Sequence, residues 1–317
     1  MKHLLKKYKR PIRLFILFEM IGILFSCIWH HVFFIINFSY IGIFVSLTVG
    51  LTIAGKKNAR IISEFAVGLY MFVFLGIINQ ENMQLEGFFY YAAMGIFQAA
   101  VIHYAVAKIA GPFLFGRAWC SYACWTAMIL DILPYKRPKS PRKEKWGAFR
   151  WLIFAVTLGY FLIIWFLYRD NIRHFMYISF IVGNVLYYLA GITLAFTLKD
   201  NRAFCKYLCP ITVFLKPASY YSLLRIRCAE QKCIKCNKCI KACPMDVDML
   251  DNKRSRKNGT ECIQCLRCVQ ECPKKALSWR AAFSPGSVAI EVDGDEDIED
   301  VGNPGGNHGA DKAADGK

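Results

Sequence analysis

Six apolar runs, at about 14–36, 38–55, 61–78, 87–107, 147–168 and 174–198, alternate with short polar breaks along the first two-thirds of the chain. Each run is close to the ~20 residues a helix needs to cross ~30 Å of hydrocarbon. The run at 38–55 is the shortest. The first sits behind "MKHLLKKYKRPIRLF", a charged start like that of a signal peptide. It nevertheless stays apolar to about Asn37 without a small-residue cleavage site, whereas a cleaved apolar core is roughly 7–15 residues long. The pattern predicts six transmembrane helices, the first retained. After Pro217 the long apolar runs stop.

Charge orients these helices. Of 40 Lys and Arg residues, 38 fall in segments on one side: the N-terminal start, Lys56–Arg60, Lys108–Arg150, and everything from Lys199 onward. Only Arg169 and Arg173 lie in outer loops, and "NQENMQLE" (79–86) has no basic residue. The positive-inside bias puts both termini in the cytoplasm and predicts a multi-pass protein of a prokaryotic cytoplasmic membrane. It also accounts for most of the formal charge of +17, so no nucleic-acid partner is expected. A reporter fused to the C-terminus is expected to be active only in the cytoplasm. Activity confined to the outer side would reverse the topology.

Cysteine changes the picture. Most of the 14 cysteines crowd into residues 205–272. "CIKCNKCIKACP" places Cys233, Cys236, Cys239 and Cys243 before a proline, and "CIQCLRCVQECP" does the same with Cys262, Cys265, Cys268 and Cys272. This is the spacing of bacterial two-cluster ferredoxins, in which the fourth cysteine of each run serves the other cluster. Two [4Fe-4S] clusters are expected, one on Cys233, Cys236, Cys239 and Cys272, the other on Cys262, Cys265, Cys268 and Cys243. Zinc rarely uses such triple runs, and a reducing cytoplasm disfavours disulfides. Lys232, Lys235, Lys238 and Lys241 interleave with the first run, where positive charge attracts an acidic partner and raises a cluster's potential. Cys228 fits neither set, and Cys27 reads as a small buried apolar residue. From Ser284 the chain is rich in glycine and acidic residues, which predicts a disordered tail.

Four more cysteines carry a repeat. "RAWCSYACW" (117–125) and "RAFCKYLCP" (202–210) share Arg-Ala-aromatic-Cys-x-Tyr-x-Cys, each after an inward-running span. Within a helix, Cys120 and Cys124 share one face, as do Cys205 and Cys209. Three readings stand: a further iron–sulfur or metal centre, a pair of redox-active dithiols, or structural thiols beneath the ferredoxin. Arg117, Arg202 and Lys206 are expected to lower the thiol pKa values.

Ionisable residues inside spans default to functional candidates. Glu19, Glu64 and His103 lie within roughly 10 Å of the cytoplasmic boundary at 1.5 Å per residue, and form a candidate site for a quinone and its protons. His30, His31 and His174 lie toward the outer side, where a quinol site or a docking surface is favoured over a bis-histidine haem.

These features together resemble the NapH/NosR/MauN-type polyferredoxin membrane proteins. "GRAWCSYAC", "NRAFCKYLCP" and the two ferredoxin runs carry the resemblance, over roughly residues 85–280. It implies electron transfer from quinol, or supply of electrons to partner reductases and their maturation. Cys209 keeps the family's following proline in Pro210, whereas Cys124 is followed by Trp125. The expected fold is an α-helical integral membrane protein with a C-terminal α+β two-cluster ferredoxin-like domain. Its parts would be a membrane domain over 1–216, a ferredoxin domain over 217–283 and a tail over 284–317. No nucleophile motif, nucleotide loop or flavin motif is present, so an electron-transfer subunit of an oxidoreductase complex is expected rather than a stand-alone enzyme. Its partners would be the bilayer, the quinone pool or a membrane or outer-side redox protein, and soluble redox proteins in the cytoplasm. The alternative is a maturation or regulatory protein that reduces a metal or cofactor site of another enzyme.

Overall fold

The computed structural model of the protein describes residues 2–56, 58–167 and 172–281. The acidic tail expected over 284–317 lies outside them. Helices α1 (Lys2–Trp29) and α2 (Phe33–Ile53) form an antiparallel hairpin. Gly22 seats Phe38, and Gly42 seats Phe18, the small-against-large contact that lets apolar helices approach without a hydrophobic drive from water. α3 (Arg60–Leu69) continues as a π-helical stretch to Ile78. α9 (Phe149–Leu167) and α10 (Ile172–Leu198) complete the long helices. Among the described residues, five helices are long and apolar enough to cross a membrane: Pro11–Trp29, Phe33–Ile53, Arg60–Ile78, Glu144–Leu167 and His174–Leu198.

The predicted run at 87–107 is built differently. It is not one helix but two, α4 (Leu85–Ala93) and a shorter apolar rod over Ala99–Phe115. The turn between them carries Gly95 at φ +68°, a conformation that costs glycine nothing. Within the rod, α5 (Ala99–His103) passes through a π-helical stretch, Tyr104–Ala110, into α6 (Gly111–Phe115). Pro112 explains the change of winding, since it has no N–H to return to Lys108 and the ladder must re-register. "NQENMQLE" is not an exposed loop either. Asn82 is fully buried, its amide donating to the carbonyl of Met176 at 2.9 Å and to Glu86 at 3.2 Å. Gln84 packs on Gly183, near the middle of α10. Because these polar groups find partners, the segment can enter the bundle without a net penalty for burial.

Two short helices follow the Ala99–Phe115 rod, α7 (Trp119–Tyr122) and α8 (Trp125–Leu130). α11 (Ala203–Tyr207) and α12 (Thr212–Tyr220) follow α10, and Pro217 lies inside α12. Residues 221–223 then lead into β1 (Leu224–Cys228). β1 pairs antiparallel with β2 (Leu277–Ala281), Cys228 opposite Leu277 and Leu224 opposite Ala281. Between the strands sit the one-turn helices α13 (Lys238–Ala242) and α14 (Arg267–Gln270). One apolar core contains Tyr90, Trp125, Phe161 and Phe180 among the long helices. A second joins Cys120, Phe204 and Cys205 to Ile226, Cys243, Met245 and Cys268. The membrane-edge motifs and the ferredoxin therefore share a single core, not two cores in contact.

Candidate iron–sulfur sites

The repeated motif does not form two unbroken helices. α7 stops at Tyr122, and Cys124 is extended (φ −84°, ψ 115°) where it caps α8. α11 stops at Tyr207, and the Cys209 N–H reaches back to the Phe204 carbonyl at 3.0 Å. The expected one-face helical arrangement is thus replaced by a helix-then-turn in both copies. The four cysteines still converge, since Cys205 and Cys209 lie within electrostatic reach of Cys120, and Cys124 within reach of both Cys120 and Cys205. Trp125, where the second copy has proline, has its own role. Its indole N–H donates to Asn184 Oδ1 at 2.8 Å and ties α8 to α10.

Burial decides the state of these thiols. It pushes Cys124 up to about 11, with Lys108 opposing and Cys120 and Cys205 reinforcing. It also raises Cys205 against Arg202, and raises Cys209 further with its thiol neighbours. The cations near the motif are present as expected, but they do not overcome desolvation. Free, nucleophilic thiolates are therefore disfavoured, which weakens the dithiol reading. Among the described residues, no three His, Cys, Asp or Glu side chains converge closely enough to hold a single metal ion.

Two guanidinium–carboxylate networks frame the four thiols. In the first, Arg202 donates to Asp131 at 2.9 and 2.6 Å, to Glu64 at 3.1 Å, and to the Cys120 carbonyl at 3.0 Å. Arg60 donates to Glu64 at 2.8 Å, to the Ser121 carbonyl at 3.2 Å, and to Asp131. Burial would raise the Asp131 carboxyl, but Arg202 and Arg60 hold it well below the usual range. Two cations meet two anions here, so the buried charge is balanced. In the second network, Glu261 is paired with Arg117, with Arg150 at 2.7 Å, with Arg142 at 2.9 Å and with Lys216 at 3.3 Å.

Glu261 immediately precedes Cys262, so this network fixes the second cysteine run against the first copy of the membrane-edge motif. The Tyr122 hydroxyl approaches the Gln264 carbonyl at 3.5 Å. The Gln264 amide lies over Gly116, where a Cβ would sit 3.1 Å from Nε2 and where φ is +58°. Lys206, next to Cys205, pairs with Asp200 at 2.7 Å and with Asp246, three residues after Cys243.

In the ferredoxin part the cysteines gather around two enclosed cavities. Cys233, Cys236, Cys239 and Cys272 line one, together with Cys228, Leu250 and Leu277. Cys262, Cys265, Cys268 and Cys243 line the other, together with Ile226, Met245 and Met249. In each cavity three thiols come from one run and the fourth from the other, a donor set that fits a cubane. The second cavity is tied to the membrane-edge motif by the Tyr122–Gln264 and Arg117–Glu261 contacts. Around the first, Lys232, Ile234, Lys235, Cys236 and Lys238 are exposed.

Of the three candidate quinone or proton residues, Glu64 is fully buried in the balanced Arg60–Arg202–Asp131 network. Glu19 accepts from the Ser39 hydroxyl at 2.9 Å. His103 lines a separate cavity with Phe18, Asn37, Met71 and Trp119, and its Nε2 and the Trp119 Nε1 have no hydrogen-bonding partner. The three share no partner and do not form one site. Sequence reading missed Asp131, Glu261, Arg150 and Asp246. The arginine opening each copy of the motif was the available signal, since a repeated buried cation requires a carboxylate.

Comparison with known proteins agrees with this arrangement. Residues 225–273 match the family described as a 4Fe-4S dicluster domain, and residues 99–144 and 175–227 match a 4Fe-4S binding domain. The second match covers both copies of the membrane-edge motif. The chain is similar to an uncharacterised protein of Methanocaldococcus jannaschii, 24% identical over 232 residues, which span 69% of this chain and 84% of that protein. No solved structure shows significant similarity. Ferredoxin-type 4Fe-4S domains joined to membrane-length helices fit a membrane ferredoxin, with an iron–sulfur electron-transfer role.

Proposed function

We propose that the chain carries electrons between a membrane redox partner, the quinone pool included, and a soluble cytoplasmic protein, as a subunit of an oxidoreductase complex. The observation that carries this reading is the set of contacts that joins the cysteine sets. The membrane-edge motifs reach residues beside the cysteines of the second cavity, Arg117 at Glu261, Tyr122 at Gln264 and Lys206 at Asp246, while the cavity of Cys233, Cys236, Cys239 and Cys272 carries the exposed Cys236. Clusters bound by these residues would supply one-electron transfer. The chain's own residues do the rest. Leu250 and Leu277 in one cavity and Ile226, Met245 and Met249 in the other limit water, which helps set a cluster's potential. Lys232, Lys235 and Lys238 surround the exposed Cys236 and favour an acidic soluble partner. Toward the long helices, His103 Nε2 and Trp119 Nε1 offer buried polar groups without a hydrogen-bonding partner, Trp119 being adjacent to Cys120.

The test pairs cysteines by cavity. Cys239→Ser and Cys272→Ser are expected to abolish the same EPR signal of the reduced protein and to leave the other intact. Cys268→Ser and Cys243→Ser are expected to abolish the second signal. If Cys272→Ser instead removed the signal lost with Cys268→Ser, the ligand sets would be wrong. Iron and acid-labile sulfide analysis of the same samples shows whether a centre beyond this pair is present.

A further inference from the structure

We infer that the protein binds the phosphate of an anionic phospholipid in a pocket between the start of α9 and the face of α12. The cavity holds about 340 Å³ and is lined by Arg150, Trp151, Thr212, Lys216, Tyr220 and Thr260 among others. Its first argument is charge. Glu261 is the one carboxylate that Arg117, Arg142, Arg150 and Lys216 share. Arg142 also has Glu144 at 3.9 Å. With Arg142 offset, Arg117, Arg150 and Lys216 still draw on a single anion. Positive charge remains in excess beside a low-dielectric interior, where an uncompensated charge is costly.

The second argument is an unmet hydrogen bond. Arg150 is 2% exposed, lines the pocket, and its Nε has no acceptor. A buried guanidinium N–H without an acceptor is the kind of orphan that a bound anion satisfies. Its near neighbour Arg142 likewise has Nε and Nη1 without a hydrogen-bonding partner.

Position selects the source of that phosphate. The candidate span that contains α9 begins at Glu144, so Arg150 sits where the helix enters the bilayer from the basic side. Trp151 is 62% exposed and Leu152 56%, an apolar flank beside the pocket mouth. Trp and Tyr at the headgroup level, with Lys or Arg alongside, mark an interfacial anchor, and basic pockets between helices on that side suit anionic headgroups. A soluble phosphate would gain nothing from that flank. The pocket also adjoins the redox residues, since the Thr212 hydroxyl donates to the Cys209 carbonyl at 2.7 Å. Neither argument depends on the electron-transfer reading.

The test is lipid retention. The full-length protein, purified in neutral detergent with its clusters, is titrated with phosphatidylglycerol and, separately, phosphatidylcholine, and bound lipid is counted by native mass spectrometry. Wild type is expected to retain phosphatidylglycerol in preference to phosphatidylcholine. Lys216→Gln is expected to weaken that retention about fivefold and Lys216→Glu about thirtyfold, the scale of one and two interfacial charges. Lys216→Arg should retain it, and an unchanged cluster absorption spectrum in each variant shows that the fold is intact. Equal retention of the two lipids, or a Lys216→Glu protein that binds like wild type, overturns the proposal. Displacement by inorganic phosphate as effective as that by phosphatidylglycerol overturns the lipid as occupant.

Discussion

Replacing Glu261 by Gln is expected to loosen the ferredoxin from the helices by about 3–5 kcal/mol, the cost of leaving buried charges without their partner. The side chains of Arg117, Arg150, Arg142 and Glu261 are all at least 95% buried, so water cannot take over the pairing. Lys216, 44% exposed, matters less here. Amide hydrogen exchange over 224–281, measured with the clusters bound, should accelerate by at least about two orders of magnitude relative to the helices. Unchanged protection would mean that the apolar core alone holds the two parts together. The pH dependence has a definite sign. Burial would raise the Glu261 carboxyl, but Arg117 and Arg150 hold it well below the usual carboxylate range. A depressed carboxylate contributes stability that is fully present above its unfolded value of ~4.3 and lost as pH falls through the folded value. Acidification from pH 7 to 5 should therefore leave the protection factors at this interface, taken relative to the intrinsic exchange rate at each pH, unaltered.

The second large effect is expected from the membrane-edge thiols. Cys120→Ser and Cys205→Ser should each stop reduction of the ferredoxin cysteine sites from the membrane while leaving their EPR signals available to a soluble reductant. Combining the two should add little, because groups that act as a unit are non-additive. The electrostatic proximity of Cys120, Cys124, Cys205 and Cys209 motivates this. A protein that tolerates Cys120→Ser but fails with Cys205→Ser would leave the first copy of the motif a structural role, with Trp125 as its anchor to Asn184.

The cysteine runs were legible because their meaning lies in local spacing, and the same holds for the five long helices, whose apolar length alone suffices. What sequence reading misplaced depends on partners far away in the chain. The segment 79–86 looked like a solvated loop because Asn82 and Glu86 are polar, yet Asn82 finds Met176, 94 residues on. The setting of Glu64 was unreadable for the same reason, since its cation Arg202 lies 138 residues away. Arg60, four residues before Glu64, was the local half of that pairing and was readable as an i,i+4 pair. The break after Met94 was hidden because both sides of it are apolar, and hydropathy does not register a glycine at positive φ. Spacing alone could place Cys120 with Cys124 and Cys205 with Cys209 on one face only if those segments were helical, and the folded chain turns at Ala123 and Leu208.

The short connection over residues 221–223 has a kinetic consequence. Leu223 donates to the Phe113 carbonyl at 2.8 Å, and Arg254 holds the Tyr220 carbonyl at 2.7 Å. So brief and pinned a strap gives the ferredoxin no arc through which to swing. Delivery cannot rely on a tethered head shuttling between docking points, whose frequency would be independent of concentration. On the function proposed above, each exchange at the exposed end instead waits for a freely diffusing molecule to arrive. Throughput on that side should rise linearly with the abundance of the carrier until release of the spent carrier becomes limiting, and it should fall with ionic strength as charge steering is screened.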